Sequence, residues 1–164
     1  MKKILVAALL TLSAPAALAD APGQGDIGLN FSLSAAPVNS TAVVAPGLGA
    51  EYWFLDQLSI LGRFNFATQS NVGTSFALLG GADYYLVKKP SENYGLFVGA
   101  LLGFDVTSPS GGNSSTGFDL QAGGGADYYF SKHFSARISE GLALATAGNT
   151  LFYFTTNLGL NVYF

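Results

Sequence analysis

The chain has 164 residues, no cysteine, and only 10% charged residues, far below the roughly 25% of an average soluble domain. The missing cysteine excludes disulfide frameworks, thiolate metal sites, cysteine nucleophiles and a lipidated cysteine. Beyond residue 19, five basic side chains (Arg63, Lys88, Lys89, Lys132, Arg137) oppose all ten acids, a formal charge of −5. No basic cluster is present to bind a nucleic-acid backbone.

Lys2 and Lys3, the apolar stretch Ile4–Leu12 and the small residues Ala17-Leu18-Ala19 form the pattern of a secretory signal peptide over residues 1–19, cleaved before Asp20. The apolar stretch is too short to span a membrane and no stop-transfer pattern follows, so an N-terminal anchor is not expected. Residues 20–164 remain as one domain. No later apolar run approaches the ~20 residues of a membrane helix. A sparsely charged chain without such a helix points to the other structure that satisfies its backbone in lipid, a closed β-barrel.

Strict alternation of apolar residues predicts eight strands. Ile27, Leu29, Phe31 and Leu33 mark the first, and Leu48, Ala50, Tyr52 and Phe54 the second. Leu58, Ile60, Phe64 and Phe66 mark the third, and Phe76, Leu78, Ala82, Tyr84 and Leu86 the fourth. The fifth carries Leu96, Val98, Ala100, Leu102 and Phe104; the sixth carries Phe118, Leu120, Ala122, Ala126, Tyr128 and Phe130. Phe134, Ala136 and Ile138 open the seventh, and Phe152, Phe154, Leu158, Leu160, Val162 and Phe164 form the last.

The opposite parity holds Gly, Ser and Asn with a few charges of both signs, including Glu51, Arg63, Asn65, Asp83, Asp119, Gln121, Asp127, Arg137, Asn157 and Asn161. A soluble barrel would turn a Lys- and Glu-rich face to water. Here the apolar face carries more large aromatics than a narrow lumen can pack. The expected fold is therefore an eight-stranded antiparallel up-and-down transmembrane β-barrel, with lipid outside and small or polar side chains inside.

Leu55–Gln57, Val87–Asn93 and Ser131–His133 read as turns facing the periplasm. Ala35–Ser40, Gln69–Thr74, Thr107–Thr116 and Thr146–Thr150 read as short exterior loops, too small to hold a folded receptor-binding structure. A repeat closes the even-numbered strands: Gly49-Ala50-Glu51-Tyr52-Trp53-Phe54, Gly81-Ala82-Asp83-Tyr84-Tyr85-Leu86, Gly125-Ala126-Asp127-Tyr128-Tyr129-Phe130 and, more loosely, Gly159-Leu160-Asn161-Val162-Tyr163-Phe164. Each copy turns a polar residue inward and sets a bulky pair at the periplasmic rim. Tyr52, Phe54, Tyr84, Tyr128, Phe130 and Phe134 would form one interfacial aromatic girdle; Phe64, Phe66, Phe76, Phe104, Phe118 and Phe152 would form the other.

The signal peptide, the repeated Gly-Ala-acid-Tyr-aromatic strand ends and the terminal Leu158-Gly159-Leu160-Asn161-Val162-Tyr163-Phe164 resemble the OmpA-like family of small outer-membrane barrels. The resemblance implies an integral outer-membrane protein in contact with lipid and lipopolysaccharide. Leu160, Val162 and Phe164 are similar to the signal read by the barrel-assembly machinery. Nothing follows the eighth strand, so the peptidoglycan-binding domain of full-length family members is not expected.

Pairing Phe54 with Leu58 sets Arg63 opposite Gly49 and diagonal to Glu51; pairing Phe130 with Phe134 sets Asp127 opposite Arg137. Asp83 and Asn161 lie at similar depth. These six residues, three acids against two arginines, predict a charge network across the lumen. It either braces and plugs the barrel or gates a narrow path for small solutes, and the bore of eight strands favours the plug. Adhesion through the Ser/Gly/Asn loops is a further reading.

His133, Ser135 and Glu140 are similar in order to the catalytic residues of outer-membrane lipid A deacylases. Ala136 stands where an asparagine is expected, Glu140 comes too soon, and His133 falls in a periplasmic turn, so catalysis is not expected. Glu140 is itself anomalous, because its parity turns it to lipid; a bulge at Ser139–Gly141 would rotate it inward. No cofactor or metal is implied. The expected protein is a monomeric structural barrel supporting envelope integrity.

Overall fold

A computed structural model describes residues 21–38, 41–89, 93–147 and 150–164, so the expected signal peptide lies outside the described residues. The strands are β1 (Ile27–Val38), β2 (Thr41–Leu55), β3 (Leu58–Gln69), β4 (Gly73–Lys89), β5 (Tyr94–Pro109), β6 (Ser115–Ser131), β7 (Phe134–Ala145) and β8 (Leu151–Tyr163). Each pairs antiparallel with its neighbours in the chain, and β1 pairs with β8 to close the barrel. Closure leaves no sheet edge, so the ladder satisfies the backbone without water.

Burial follows the predicted parity. Along β3, buried and exposed residues alternate from Ser59 to Ala67. Glu51, Arg63, Asn65, Asp83, Asp119, Asp127, Arg137, Asn157 and Asn161 are all buried, while Phe31, Leu48, Phe64, Leu78, Phe104, Phe118 and Leu158 are all exposed. A soluble protein does not expose apolar surface on this scale. The surface suits hydrocarbon, and the interior is the polar side. Phe130 stacks on Phe134 at 5.5 Å between ring centroids at the turn end, and Phe104 on Phe118 at 5.2 Å at the loop end.

The strands run further than the alternation alone suggested. β1 extends to Val38 and β2 begins at Thr41, so the expected loop Ala35–Ser40 shortens to residues 39–40, outside the described residues. β4 reaches Lys89, β5 reaches Pro109 and β6 starts at Ser115. Polar and small residues at the barrel ends break the hydrophobic pattern without stopping the ladder, and the Val and Thr among them favour extended backbone.

Two pairings at the turns are corrected. Leu55, not Phe54, pairs with Leu58, and Ser131, not Phe130, pairs with Phe134. A bulge intervenes in each case and again between Tyr85 and Val87, leaving Phe54, Leu86 and Phe130 as the extra residues. All three end a copy of the repeat. Each bulge lets adjacent side chains share one side of the sheet, as Phe54 and Leu55 do, both about half exposed (52% and 48%). Further in, the expected register holds: Gly49 faces Arg63, and Asp127 faces Arg137.

The bulge expected at Ser139–Gly141 is absent. Ser139, Glu140 and Gly141 pair in unbroken register with Gly125, Gly124 and Gly123 on one side and with Asn157, Thr156 and Thr155 on the other. An extra residue here would put Arg137 and Ala143 out of phase, and both are buried in the lumen. Glu140 therefore points outward, exposed, on the apolar side between Gly124 and Thr156.

Candidate functional site

The repeat builds the inner half of the lumen in two layers. Its fifth position supplies Trp53, Tyr85, Tyr129 and Tyr163, all with 0–2% exposure, packed as a floor across the turn end. Each of these four donates its backbone N–H to the carbonyl of the preceding turn or entry: Trp53 to Asp26 (3.0 Å), Tyr85 to Gln57 (2.8 Å), Tyr129 to Asn93 (2.8 Å) and Tyr163 to His133 (2.9 Å). Trp53 and Tyr85 stack at 4.6 Å, and Tyr85 meets Phe97 at 5.4 Å. Beneath the floor passes the N-terminal segment. Pro22 is fully buried, Ala21 packs against Tyr129 and Tyr163, and Lys88 Nζ donates to the carbonyls of Pro22 and Asp56 while lying 3.9 Å from the Trp53 ring centroid.

The third position of the repeat supplies the next layer: Glu51, Asp83, Asp127 and Asn161. Arg137 reaches into its centre. Its Nε and Nη2 each donate to Asp127 at 2.9 Å, Nη1 donates to Asp83 at 3.0 Å, and Nη2 also meets Glu51 Oε1 at 3.2 Å. Tyr85 from the floor donates its hydroxyl to Asp127 and accepts from Arg137 Nη2 at 2.6 Å. Asn161 donates to Asp127 (3.3 Å) and to Ser135 Oγ (2.9 Å), and accepts from Asn30 across the β1–β8 seam. Gly99 leaves space for this layer, since a Cβ there would lie 2.0 Å from Asp83 Oδ1.

Five of the six expected network residues are thus joined through Arg137 and Asp127. Arg63 is not. It lies diagonal to Glu51 as expected, but its Nη1 donates to Asn157 Oδ1 at 3.3 Å and it makes no ion pair among the described residues. Arg137 already occupies both Glu51 oxygens, and Arg63 stands one inward position further from the floor. Outward of Arg63 the lumen loosens. A cavity of about 50 Å³ borders Arg63, Asp83 and Arg137, and a second of about 30 Å³ borders Asn65, Asp105 and Asp119.

The floor aromatics and Asp105 were not singled out in the sequence, although both sit on the inward parity. The fifth repeat position, placed at the rim by its bulk alone, was the signal. His133, Ser135 and Glu140 are dispersed. His133 Nδ1 lies 3.0 Å from the Tyr163 carbonyl in an exposed turn, Ser135 is buried against the Tyr163 hydroxyl at 3.1 Å, and Glu140 is on the outer surface. The structure brings no nucleophile and base together from this set.

Comparison with known structures gives the fold a context. The chain is similar to the N-terminal β-barrel domain of Pseudomonas aeruginosa OprF, with a TM-score of 0.62 and 19% identity over 87% of this chain and 100% of that one. It is similar to Neisserial surface protein A, with a TM-score of 0.62 and 14% identity over 84% of this chain and 95% of that one. Ail, the attachment invasion locus protein of Yersinia pestis, superposes at 0.50 with 17% identity over 86% of this chain and 99% of that one. No protein-family model matches the chain, and no curated protein matches it. The chain has the fold of the small outer-membrane barrels.

Proposed function

We propose that the chain is an integral outer-membrane protein acting as a closed structural element of the envelope, its lumen sealed from the periplasmic side. One observation carries this reading: Arg137 is held at once by acids from three other strands, directly above a floor of four buried aromatic rings. A pore needs a continuous wet path, and opening this one requires separating a buried ion cluster and leaving its charges uncompensated. In this reading a cleaved signal peptide exports the chain, Leu160, Val162 and Phe164 present it to the assembly machinery, and it works as a monomer in contact with lipid and lipopolysaccharide, without catalysis.

A narrow channel for small solutes is the second reading, favoured by the two cavities in the lumen. One of them borders Arg137 and Asp83, the other lies further out, and none of the four floor rings lines either. The attachment role named for Ail finds less support here, because none of the expected exterior loops carries a charged residue to engage an ionic host ligand. Single-channel recording in planar bilayers decides between plug and pore. The purified barrel is expected to insert without sustained openings; steady unitary conductance overturns the plug.

A further inference from the structure

The outer lumen holds two acids that the Arg137 network does not use. Asp105 on β5 and Asp119 on β6 occupy diagonal inward positions, since Gly103 pairs with Asp119 and Asp105 with Gly117. Diagonal neighbours lie roughly 7–8 Å apart at the backbone, within reach of side chains. Both carboxylates are more than nine-tenths buried, at 6% and 4% exposure. Asp119 Oδ2 accepts from Gln121 Nε2 (3.2 Å) and the Tyr153 hydroxyl (3.4 Å), but Oδ1 of each acid has no partner. Neither acid makes an ion pair among the described residues.

A third group points into the same space. Asn65, also more than nine-tenths buried, lines the cavity of about 30 Å³ that Asp105 and Asp119 face, and its Oδ1 is unpartnered as well. Ser75 and Thr155 add hydroxyls to the wall. Buried anions without a countercharge are unfavourable, and two side by side are more so. In the inner half Arg137 supplies the countercharge; here no side chain among the described residues does.

We infer that this chamber is a cation site, with Asp105 and Asp119 as the charged ligands and Asn65 Oδ1 as a neutral one, for a hard divalent ion of the Ca²⁺ type. Oxygen donors alone, with neither imidazole nor thiolate, select hard cations over transition metals. A chamber that holds about one water forces the ion to shed its hydration shell. Ca²⁺ does so readily for flexible oxygen ligands, whereas Mg²⁺ keeps several waters.

The test uses the full mature chain, folded in detergent micelles, stripped with EDTA and titrated calorimetrically with CaCl₂. Wild type is expected to bind one Ca²⁺ per chain and to melt at a higher temperature when loaded. The double substitution Asp105→Asn with Asp119→Asn should weaken binding by more than about a hundredfold, beyond the loss from changing an outer-shell partner. In EDTA the same variant should melt above wild type, because the like-charge repulsion is gone; this arm also verifies that the variant folds. Glu140→Gln, which alters an acid on the outer surface, should leave binding intact. Absence of binding at millimolar Ca²⁺, survival of binding in the double variant, or equal affinity for Mg²⁺ would overturn the assignment.

Discussion

The inner and outer halves of the barrel share the same walls and are filled in opposite ways. The inner half packs four large rings and a single arginine between three acids; every guanidinium nitrogen of Arg137 has a partner, while Trp53 Nε1, Ser59 Oγ and the Tyr129 hydroxyl have none. The outer half is lined by Ala45, Ala67, Ala77, Ala143 and Ala145 with small hydroxyl residues and keeps a void of about 30 Å³, while a second void of about 50 Å³ lies where the two halves meet. An eight-stranded bore is just wide enough for side chains to fill it. Side-chain size along the strands therefore sets which half is shut and which can admit water or an ion.

Three substitutions break or sharpen this contrast. Arg137→Ala should have the largest effect, a loss of about 3–5 kcal/mol, because it leaves three buried acids without their shared partner. Urea unfolding in micelles should show a lower midpoint, and an unchanged one would mean that the ion cluster does not brace the inner half. Gly125→Ala should come next. Its Cβ would lie 2.3 Å from the Ile138 carbonyl oxygen and 2.6 Å from the Phe97 ring, and such overpacking typically costs about 1–3 kcal/mol. Ala67→Val should have the smallest effect, within about 1 kcal/mol of wild type, because the added methyls grow into the outer cavity. If Ala67→Val proved as costly as Gly125→Ala in the same unfolding assay, the two halves would be equally tight and the contrast would fail.

Much of this arrangement is legible in the sequence, for one physical reason: a strand has a period of two, so parity alone decides which side a residue faces. That rule placed Glu51, Asp83, Asp127, Arg137 and Asn161 inside and brought Asp127 opposite Arg137. It carries no information about which side chains meet across the bore. Glu51 lies on β2 and Arg137 on β7, so their contact arises only from closure, and Arg63, nearer to Glu51 along the ladder, is left aside. Trp53, Tyr85, Tyr129 and Tyr163 sit at the turn end where their place in the repeat sets them, but parity does not reveal that the four rings pack together into a floor. At Glu140 parity also holds, without the bulge that would have turned the carboxylate inward. The lumen phase of Arg137 and Ala143 outweighs the unfavourable placement of one carboxylate beside lipid.

The position of Arg137 bears on how the ring is assembled. Of its three anionic partners, only Asp127 belongs to an adjacent strand; Asp83 and Glu51 belong to β4 and β2. A half-finished, still-open sheet can offer the guanidinium one carboxylate, while the other two stay stranded on distant strands. Their compensation arrives only when the first and last strands zip together. A slip of one residue at that seam would swing Asn161 to the bilayer, and a slip of two would displace it from Asn30, its counterpart across the join. The cluster is thus complete only in the closed ring, in the one seam alignment that joins Asn30 to Asn161 and, through it, to Asp127.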